Sequence, residues 1–447
     1  MWLKLRVFFQ DHASSFRTII LGFALLILTG AVLLSLPYAS ADGVPVSFLD
    51  ALFTSTSASC VTGLVLFDTY TQWSLFGRII ILILIQIGGL GVVTMIIVTL
   101  VLTGKRIGIM SRLTMQDAVS AHQTGGIIRF TLFFLTGTFL MEGIGAILLC
   151  PAFIRDFGAA KGIGFAVFHS ISAFCNAGFD LMGVKAPFAS LTMYSGSVLV
   201  NLVIAMLIIT GGIGFATWRD LLDARFHFRR LRLQSKIILS TSAILIVLPF
   251  IFFWLFEFSA FSGKERFLLS LFQTVTPRTA GFSTFDYGKM SESGQLFTII
   301  LMMTGGAPGS TAGGMKVTTL AAVILCARAG LRRNSDITCW RRRIEEDTVR
   351  SAVTIMTVYI LQLLAGSVIL SIYEQLPLLP CMFECASALG TVGLTTGITP
   401  GLHTLSKLVL TGFMFFGRVG GLTIAYAMVA GRMPLNRRYP AEKLTVG

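Results

Sequence analysis

The stretch LFTSTSASCVTGL, residues 52–64, decides the fold because three further versions of it follow along the chain. They read VFHSISAFCNAGF at 167–179, LFQTVTPRTAGF at 271–282 and MFECASALGTVGL at 382–394. Each version starts with a hydrophobic residue and Phe, passes through small and hydroxyl-bearing residues, and ends on Gly followed by Leu or Phe. The final glycines, 115, 103 and 112 residues apart, are Gly63, Gly178, Gly281 and Gly393. A period this long predicts four similar units around one axis rather than a solenoid.

The composition is that of an integral membrane protein. Of 447 residues, 54% are hydrophobic and 13% are charged, whereas about a quarter of the residues in soluble domains are charged. The formal net charge is +14, but the basic residues follow membrane topology rather than a motif with interleaved aromatic residues. Nucleic acid is therefore not a predicted partner.

Eight apolar segments are each long enough to cross a hydrocarbon core of about 30 Å. An even number places both termini on one side, together with every second connection. Those connections and the two tails hold 24 of the 35 Lys and Arg residues but only 9 of the 21 Asp and Glu residues. The positive-inside rule therefore places both termini in the cytoplasm, and we expect a multi-pass protein of the plasma membrane. The segments lie at 18–37, 73–103, 130–152, 191–217, 237–261, 295–327, 351–376 and 404–431.

The four repeated stretches fall between paired crossings and are too short to span the membrane themselves. Non-helical backbone at membrane depth persists only where it is buried or lines a watery cavity. Four such loops on one axis would supply the backbone carbonyls that replace the hydration shell of K+ in potassium channels. Four tight turns, in which Gly is common, are the alternative. The copies in register favour an all-α membrane fold with eight transmembrane helices and four re-entrant pore helices around one central pore.

The loops also resemble those of a known family. TVGL at 391–394 and VTPRTAGF at 275–282 are similar to the filter sequences of the Trk/Ktr/HKT superfamily of potassium transporters, and the chain is most similar to the Ktr-type membrane subunit. The resemblance implies potassium uptake, with K+ held by filter carbonyls only. Because the four segments differ from one another, we expect looser selectivity than in tetrameric channels. The implied filter residues are Cys60, Val61, Thr62, Gly63, Asn176, Ala177, Gly178, Thr279, Ala280, Gly281, Thr391, Val392 and Gly393.

The resemblance also divides the chain and implies partners. The four pore repeats are 1–110, 125–225, 235–330 with an intramembrane gate loop, and 345–447 with a cytoplasmic C-terminal tail. The implied assembly is a homodimer in the lipid bilayer with a cytoplasmic ring of regulatory subunits that bind ATP or ADP. Activation by Na+ stays open, and we expect no organic cofactor in this chain. Basic loops at 225–236 and 332–347 either dock such a ring or serve topology and anionic lipid.

The second crossing of each unit contains a glycine-rich break, at 86–94, 209–217, 303–319 and 417–425. Glycine costs about 1 kcal/mol in a helix interior relative to alanine, and close helix packing is one explanation for three of the breaks. The third break adds a proline and cannot hold a continuous helix. The resemblance implies an intramembrane gate at this point. The implied gate residues are Gly305, Gly306, Ala307, Pro308, Gly309, Ser310, Thr311, Ala312, Gly313, Gly314, Lys316 and Arg418.

Arg418 lies midway along the last apolar segment, where a charge costs about 2.5–3.5 kcal/mol. The resemblance implies that it helps form the constriction, and its guanidinium can donate to carbonyls freed at 305–314. The alternatives are an ion pair with Glu142 or snorkelling to the interface. Lys316 either stabilises the loop, contacting its carbonyls, or snorkels toward the cytoplasm.

Three other charged residues lie close to the short stretches. Arg278 follows the third, where we expect it to cap C-terminal helix carbonyls, with direct contact to the ion as the alternative. Asp50 and Glu384 are expected near the starts of the first and fourth short helices. There they would compensate the helix dipole or attract cations.

Two other classes of transport protein compete with this interpretation. An alternating-access secondary transporter also uses broken helices at mid-depth, but it relies on two inverted repeats rather than four copies. A Na+-permeable channel of the same fold is the other alternative. An enzyme is not predicted, because the chain has no His-Glu-x-x-His sequence, no paired catalytic aspartates and no nucleophile-elbow context.

Overall fold

The computed structural model describes residues 15–91, 127–334 and 336–420, together with residue 442. Over these residues the protein is helical, apart from a two-stranded antiparallel hairpin formed by β1 (Thr338–Cys339) and β2 (Arg342–Arg343). This helical structure supports the predicted fold class, an all-α membrane protein. The ends of the second and eighth predicted crossings, at 92–103 and 421–431, lie outside the described residues.

The helices are named in chain order. They are α1 (Ser15–Leu34), α2 (Phe48–Ser59), α3 (Thr69–Gln72), α4 (Leu75–Leu90), α5 (Ile127–Phe157), α6 (Ala159–Phe174), α7 (Val198–Gly212), α8 (Phe215–Asp223), α9 (Leu233–Phe252), α10 (Gly263–Val275), α11 (Glu292–Met302), α12 (Val317–Leu331), α13 (Glu346–Glu374), α14 (Leu378–Gly390) and α15 (Thr404–Val419).

Four helices in the described part of the chain are long and apolar enough to cross a membrane. They correspond to α1, α5, α9 with the π-helical turn Phe253–Glu257 that continues it, and α13. A fifth crossing results if α7 and α8, which meet at 91°, count as one bent span. The predicted sixth crossing is divided, because α11 ends at Met302 and α12 begins only at Val317.

The helices pack in a closed ring. In each unit the short helix, α2, α6, α10 or α14, packs against the long helix before it, which is α1, α5, α9 or α13. The second helix of each unit then packs against the short helix of the next unit: α4 against α6, α7 against α10, and α11 against α14. The ring closes because α15 of the fourth unit packs against α2 of the first.

Burial follows this ring from the outside inward. The repeated Phe of the four stretches is buried in every copy, at Phe53, Phe168, Phe272 and Phe383. The long helices instead expose apolar side chains outward; Ile147 is 71% exposed and Ile372 is 73% exposed. Apolar residues on the outer surface as well as in the core are what a lipid environment permits.

Candidate functional site

The loops that follow the four short helices share one backbone conformation. Two residues before its final glycine, each loop has a left-handed residue: Val61 (φ 56°), Asn176 (59°), Thr279 (65°) and Thr391 (51°). The glycines are left-handed as well, at φ 96°, 71°, 78° and 90° in chain order. Left-handed backbone costs a β-branched residue about 1–3 kcal/mol and is concentrated at functional sites. Three of the four loops carry such strain, at Val61, Thr279 and Thr391.

The four glycines meet around one axis. A β-carbon at Gly63 would lie 2.5 Å from the carbonyl oxygen of Ala177, and one at Gly178 would lie 2.7 Å from that of Ala280. One at Gly281 would lie 2.5 Å from the carbonyl oxygen of Val392.

The fourth contact closes the circle, because a β-carbon at Gly393 would collide with the carbonyl oxygen of Thr62. Each glycine therefore meets the residue that precedes the glycine of the next unit. We call the residues 61–63, 176–178, 279–281 and 391–393 the glycine ring. No side chain larger than hydrogen fits at its four glycines without moving backbone.

Hydroxyl groups of the short helices hold two of these loops by their glycine amides. The N–H of Gly63 donates to Ser57 Oγ at 3.1 Å, and the N–H of Gly393 donates to Ser387 Oγ at 3.0 Å. All four residues are buried. These serines stabilise the loops, since a buried amide without a partner costs about 1–3 kcal/mol.

The other two loops are held one residue further along. Ser172 Oγ donates to the carbonyl of Phe179 at 2.7 Å, and Thr276 Oγ1 donates to that of Phe282 at 2.5 Å. We call these four hydroxyl residues the loop clamps. Sequence reasoning did not single them out, although a hydroxyl stands six residues before the glycine in units one, two and four and five residues before it in unit three.

The glycine-rich breaks lie directly against the short helices. A β-carbon at Gly88 would collide with the carbonyl of Ser59, the last residue of α2. Gly211 meets the carbonyl of Phe174, the last residue of α6, in the same way. These contacts support the packing explanation for the first two breaks.

The fourth break repeats the contact, because Gly417 meets the carbonyl of Leu389 in α14. In each of these three breaks, a second glycine follows three residues after the glycine that makes the contact, and it has left-handed backbone just beyond the helix. These second glycines are Gly91 (φ 86°), Gly214 (φ 85°) and Gly420 (φ 92°). The three breaks are therefore equivalent in conformation as well as in sequence.

The third break is a folded loop, residues 303–316, between α11 and α12. It is closed at its base, where the N–H of Gly305 donates to the Met315 carbonyl at 2.7 Å. The N–H of Val317 donates to the Gly306 carbonyl at 3.1 Å. Residues 304–307 and 311–315 are buried, so the loop occupies the interior of the molecule.

Loop 303–316 is attached to the second unit by backbone hydrogen bonds. The N–H of Ala307 donates to the Gly212 carbonyl at 2.8 Å, and the N–H of Phe215 donates to the Gly309 carbonyl at 3.0 Å. The hydroxyl of Thr311 donates to the carbonyl of Phe174, at the end of α6, at 3.0 Å. This side of the loop is fixed to the bend between α7 and α8.

The same loop touches the glycine ring. A β-carbon at Gly305 would lie 3.2 Å from Thr279 Cγ2, and one at Gly313 would collide with the side chain of Thr391. Thr279 and Thr391 are the left-handed residues of the third and fourth ring loops. The residues predicted as gate and as filter are thus in contact.

Arg418 lies in the last turn of α15 and connects three units. Its guanidinium donates to the carbonyl of Thr311 in loop 303–316 and to the carbonyls of Gly88 and Gly89 at the end of α4. Glu142 does not pair with it. The Glu142 carboxylate accepts from the Gln86 amide at 3.0 Å instead.

Lys316 also binds the loop. Its ammonium donates to the carbonyls of Ala312 at 2.8 Å and Gly313 at 3.3 Å. Of the two predicted orientations for Lys316, the structure has the one that holds the loop's shape.

Two expectations from the sequence are wrong. The side chain of Arg278 does not cap α10; its guanidinium donates to the hydroxyl of Ser242 in α9 at 2.8 Å. The carbonyl of Val275 at the end of α10 accepts from the backbone N–H of Arg278 instead. The buried guanidinium therefore binds the neighbouring long helix and not the end of α10.

Glu384 lies in the middle of α14 and not near its start. Its carboxylate accepts from the hydroxyls of Thr395 and Thr399, both at 2.6 Å, and from the Thr396 N–H at 3.0 Å. It therefore braces the chain that leaves the fourth ring loop.

Asp50 does lie in the first turn of α2, where a negative charge is favourable. Its carboxylate also pairs with the ammonium of Lys407 in α15 at 2.7 Å. This ion pair joins the fourth unit to the first.

The carbonyls of the glycine ring are the groups that could hold a cation here. Within the described residues, no three His, Cys, Asp or Glu side chains are grouped as metal ligands.

Comparison with known proteins agrees with this architecture. The family described as "TrkH: Cation transport protein" matches residues 9–433. The chain belongs to this family. The resemblance to the Trk/Ktr/HKT superfamily is thereby confirmed, and the family consists of transporters rather than enzymes.

Two relatives are similar over nearly their whole length. The potassium/sodium uptake protein NtpJ of Enterococcus hirae is 38% identical over 100% of this chain and 99% of its own. The Ktr system potassium uptake protein B of Bacillus subtilis is 37% identical over 96% of each. Among solved structures, the potassium transporter TrkH of Vibrio parahaemolyticus superposes with a TM-score of 0.73 at 20% identity. That match covers 93% of this chain and 85% of TrkH, and it supports the fold.

Proposed function

We propose that this chain is the ion-translocating membrane subunit of a potassium uptake system and that K+ passes through the glycine ring. The observation that carries the proposal is the closed contact of Gly63, Gly178, Gly281 and Gly393 in chain order. The names of the Enterococcus and Bacillus relatives supply the ion. In the proposed arrangement, eight transmembrane helices and four re-entrant pore helices surround the ring.

The proposed filter works through its backbone. Successive carbonyls of a β-strand point in opposite directions, whereas alternation of left-handed and right-handed residues turns them to the same side. In each ring loop a left-handed residue stands on both sides of Thr62, Ala177, Ala280 or Val392, and we propose that this pattern turns the carbonyls toward the axis. Carbonyls turned to the axis would replace the water around K+. The C-terminal ends of the four short helices add negative potential at the same place.

The proposed gate is loop 303–316 with Arg418 and Lys316. The loop lies against Thr279 and Thr391 of the ring, so it stands in the path of an ion that leaves the filter. Arg418 binds the loop to the end of α4 and places a positive charge beside it. A cation would meet both a steric and an electrostatic barrier until these hydrogen bonds open.

The proposed assembly is a homodimer in the plasma membrane, with its termini and basic loops in the cytoplasm. A cytoplasmic ring of nucleotide-binding subunits would act on loop 303–316 through the ends of α8, α12 and the hairpin. Na+ would act as an activator.

A second candidate is a channel that passes Na+ as well as K+. The Enterococcus relative is named a potassium/sodium uptake protein, and this name supports the second candidate. An alternating-access mechanism is less well supported, since the units pack as a cycle of four rather than as two inverted halves.

Cation flux in vesicles separates these candidates. The purified chain in vesicles is expected to carry K+ and Rb+ faster than Na+ and Li+, measured as uptake at equal concentrations. Equal K+ and Na+ rates would favour the second candidate. Counter-transport that saturates without net cation flux would overturn the proposal.

A further inference from the structure

A cleft of about 570 Å³ lies between α9, α12 and the β-hairpin. It is lined by residues 237–245 in the middle of α9 and by residues 320–329 of α12, with Arg332 beyond the end of α12. Neither the glycine ring nor loop 303–316 contributes to it.

The wall of the cleft between the two helices is apolar, and its side chains are exposed on the outer surface of the protein. Ile244 is 54% exposed and Ile324 is 55% exposed, one on each helix. Between two membrane helices, such side chains meet lipid chains rather than water.

The mouth of the cleft is basic and aromatic. Arg328 lies in the last turn of α12, Arg332 is the cap residue that follows the helix, and both line the cleft. Trp340 of the hairpin turn, 45% exposed, stands beside them and contacts the ring of Phe228 at 6.0 Å. Exposed Trp beside Arg is typical of the lipid headgroup level.

The charges of the two arginines are not neutralised within the described residues. The one carboxylate of the cleft, Asp336, pairs with Arg343 at 3.1 Å. Neither Arg328 nor Arg332 forms an ion pair or a side-chain hydrogen bond with a described residue. The mouth thus offers two guanidinium groups that have no partner among the described residues, and such groups suit a phosphate.

We propose that the cleft binds one anionic phospholipid. Its acyl chain lies along Ile244 and Ile324, and its phosphate lies between Arg328 and Arg332. The C-terminal tail does not complement this site, because residues 432–447 carry four Lys and Arg but one acidic residue, Glu442. The apolar chain of an anionic phospholipid matches the apolar wall, and its negatively charged headgroup matches the basic mouth.

The test is lipid retention by the purified full-length chain, measured by native mass spectrometry with phosphatidylglycerol or phosphatidylcholine. The test variant is Arg328→Gln with Arg332→Gln, and Arg229→Gln with Arg230→Gln is the matched control. All four arginines are exposed, and the control pair removes the same charge outside the cleft.

For the wild type and the control, the number of retained phosphatidylglycerol molecules per chain is expected to exceed the number of retained phosphatidylcholine molecules by one. Loss of two charges near an anionic headgroup weakens binding by about 30-fold, so the test variant is expected to lose this lipid. Arg328→Lys with Arg332→Lys should recover most of it, which separates charge from misfolding.

Three results would overturn the proposal. One is equal phosphatidylglycerol retention by the wild type and the test variant. Another is displacement by soluble glycerol phosphate at the same concentration as the lipid, which would assign the mouth to a free phosphate. The third is binding to separated monomers but not to a dimer, which would assign the cleft to a second copy.

Discussion

Arg418 shows how a charge is accommodated deep in an apolar chain. Its partners are the backbone carbonyls of Gly88 and Gly89 in the last turn of α4 and of Thr311 in loop 303–316, and not an acidic side chain. The glycine-rich breaks thus create the acceptors that the arginine needs. Because those acceptors belong to two other units, the Arg418 side chain can restrain the position of these two units relative to each other.

Replacing Arg418 by alanine tests whether this restraint closes the pore. Hydrogen bonds to charged groups contribute about 1.5–3 kcal/mol each, so losing one that exists only in the closed state would shift the equilibrium by about tenfold or more. We expect basal K+ flux in vesicles to rise to that degree, with Arg418→Lys intermediate. A monodisperse Arg418→Ala protein with unchanged or lower flux would contradict the gating role.

The glycines of the ring carry the second prediction at this scale. A side chain at Gly393 would collide with the Thr62 carbonyl, and its φ of 90° disfavours any other residue. Gly393→Ser is therefore expected to displace the ring carbonyls and to reduce or reverse the preference for K+ over Na+. Relative K+ and Na+ uptake measures this. Gly412→Ser is the control, since nothing lies within 4 Å of its β-carbon position; equal selectivity in both variants would refute the filter assignment.

Loop 303–316 is the element in which sequence and structure differ most in detail. Its glycines and Pro308 predict a break, but not that the loop would bind the α7–α8 bend on one side and Arg418 on the other. Those partners come from residues about a hundred positions away in the chain. No local pattern specifies such contacts, since backbone carbonyls are present in every sequence.

A substitution within this loop should change rate and not preference. A β-carbon at Gly306 would lie 2.5 Å from Ala312 Cβ and 2.9 Å from the Gly212 carbonyl, so Gly306→Ala is expected to push the loop from its closed position. We predict a several-fold change in K+ flux with an unaltered K+ to Na+ ratio. Gly330→Ala, at an open position of α12, is the control. An altered ratio with an unaltered rate would show that the loop belongs to the filter.

The loop clamps give a prediction for the short helices. Ser57→Ala leaves the buried N–H of Gly63 without its partner, which costs about 1–3 kcal/mol. We expect a lower midpoint of thermal unfolding together with a weaker K+ preference. Ser35→Ala removes a half-buried hydroxyl that follows α1 and donates to the Val32 carbonyl, and it should change neither. A destabilised Ser57→Ala protein with full selectivity would limit the clamp to a structural role.

At the scale of the whole molecule, repetition made the fold predictable. Four copies ending at Gly63, Gly178, Gly281 and Gly393 indicate four units and their loops, because each copy must satisfy the same geometry. The roles of Arg278 and Glu384 were mispredicted, since each depends on a neighbour in space. The Arg278 guanidinium donates to Ser242, and the Glu384 carboxylate accepts from the threonines that follow the fourth ring loop.

Locating the transported ion decides whether the glycine ring is the filter. Crystals of the protein grown in Rb+ should show anomalous density on the axis enclosed by residues 61–63, 176–178, 279–281 and 391–393. The same peak should be lost or displaced in Gly393→Ser and retained in Gly412→Ser. Rb+ bound elsewhere in a protein that transports it, with the ring axis empty, would contradict the proposed pathway.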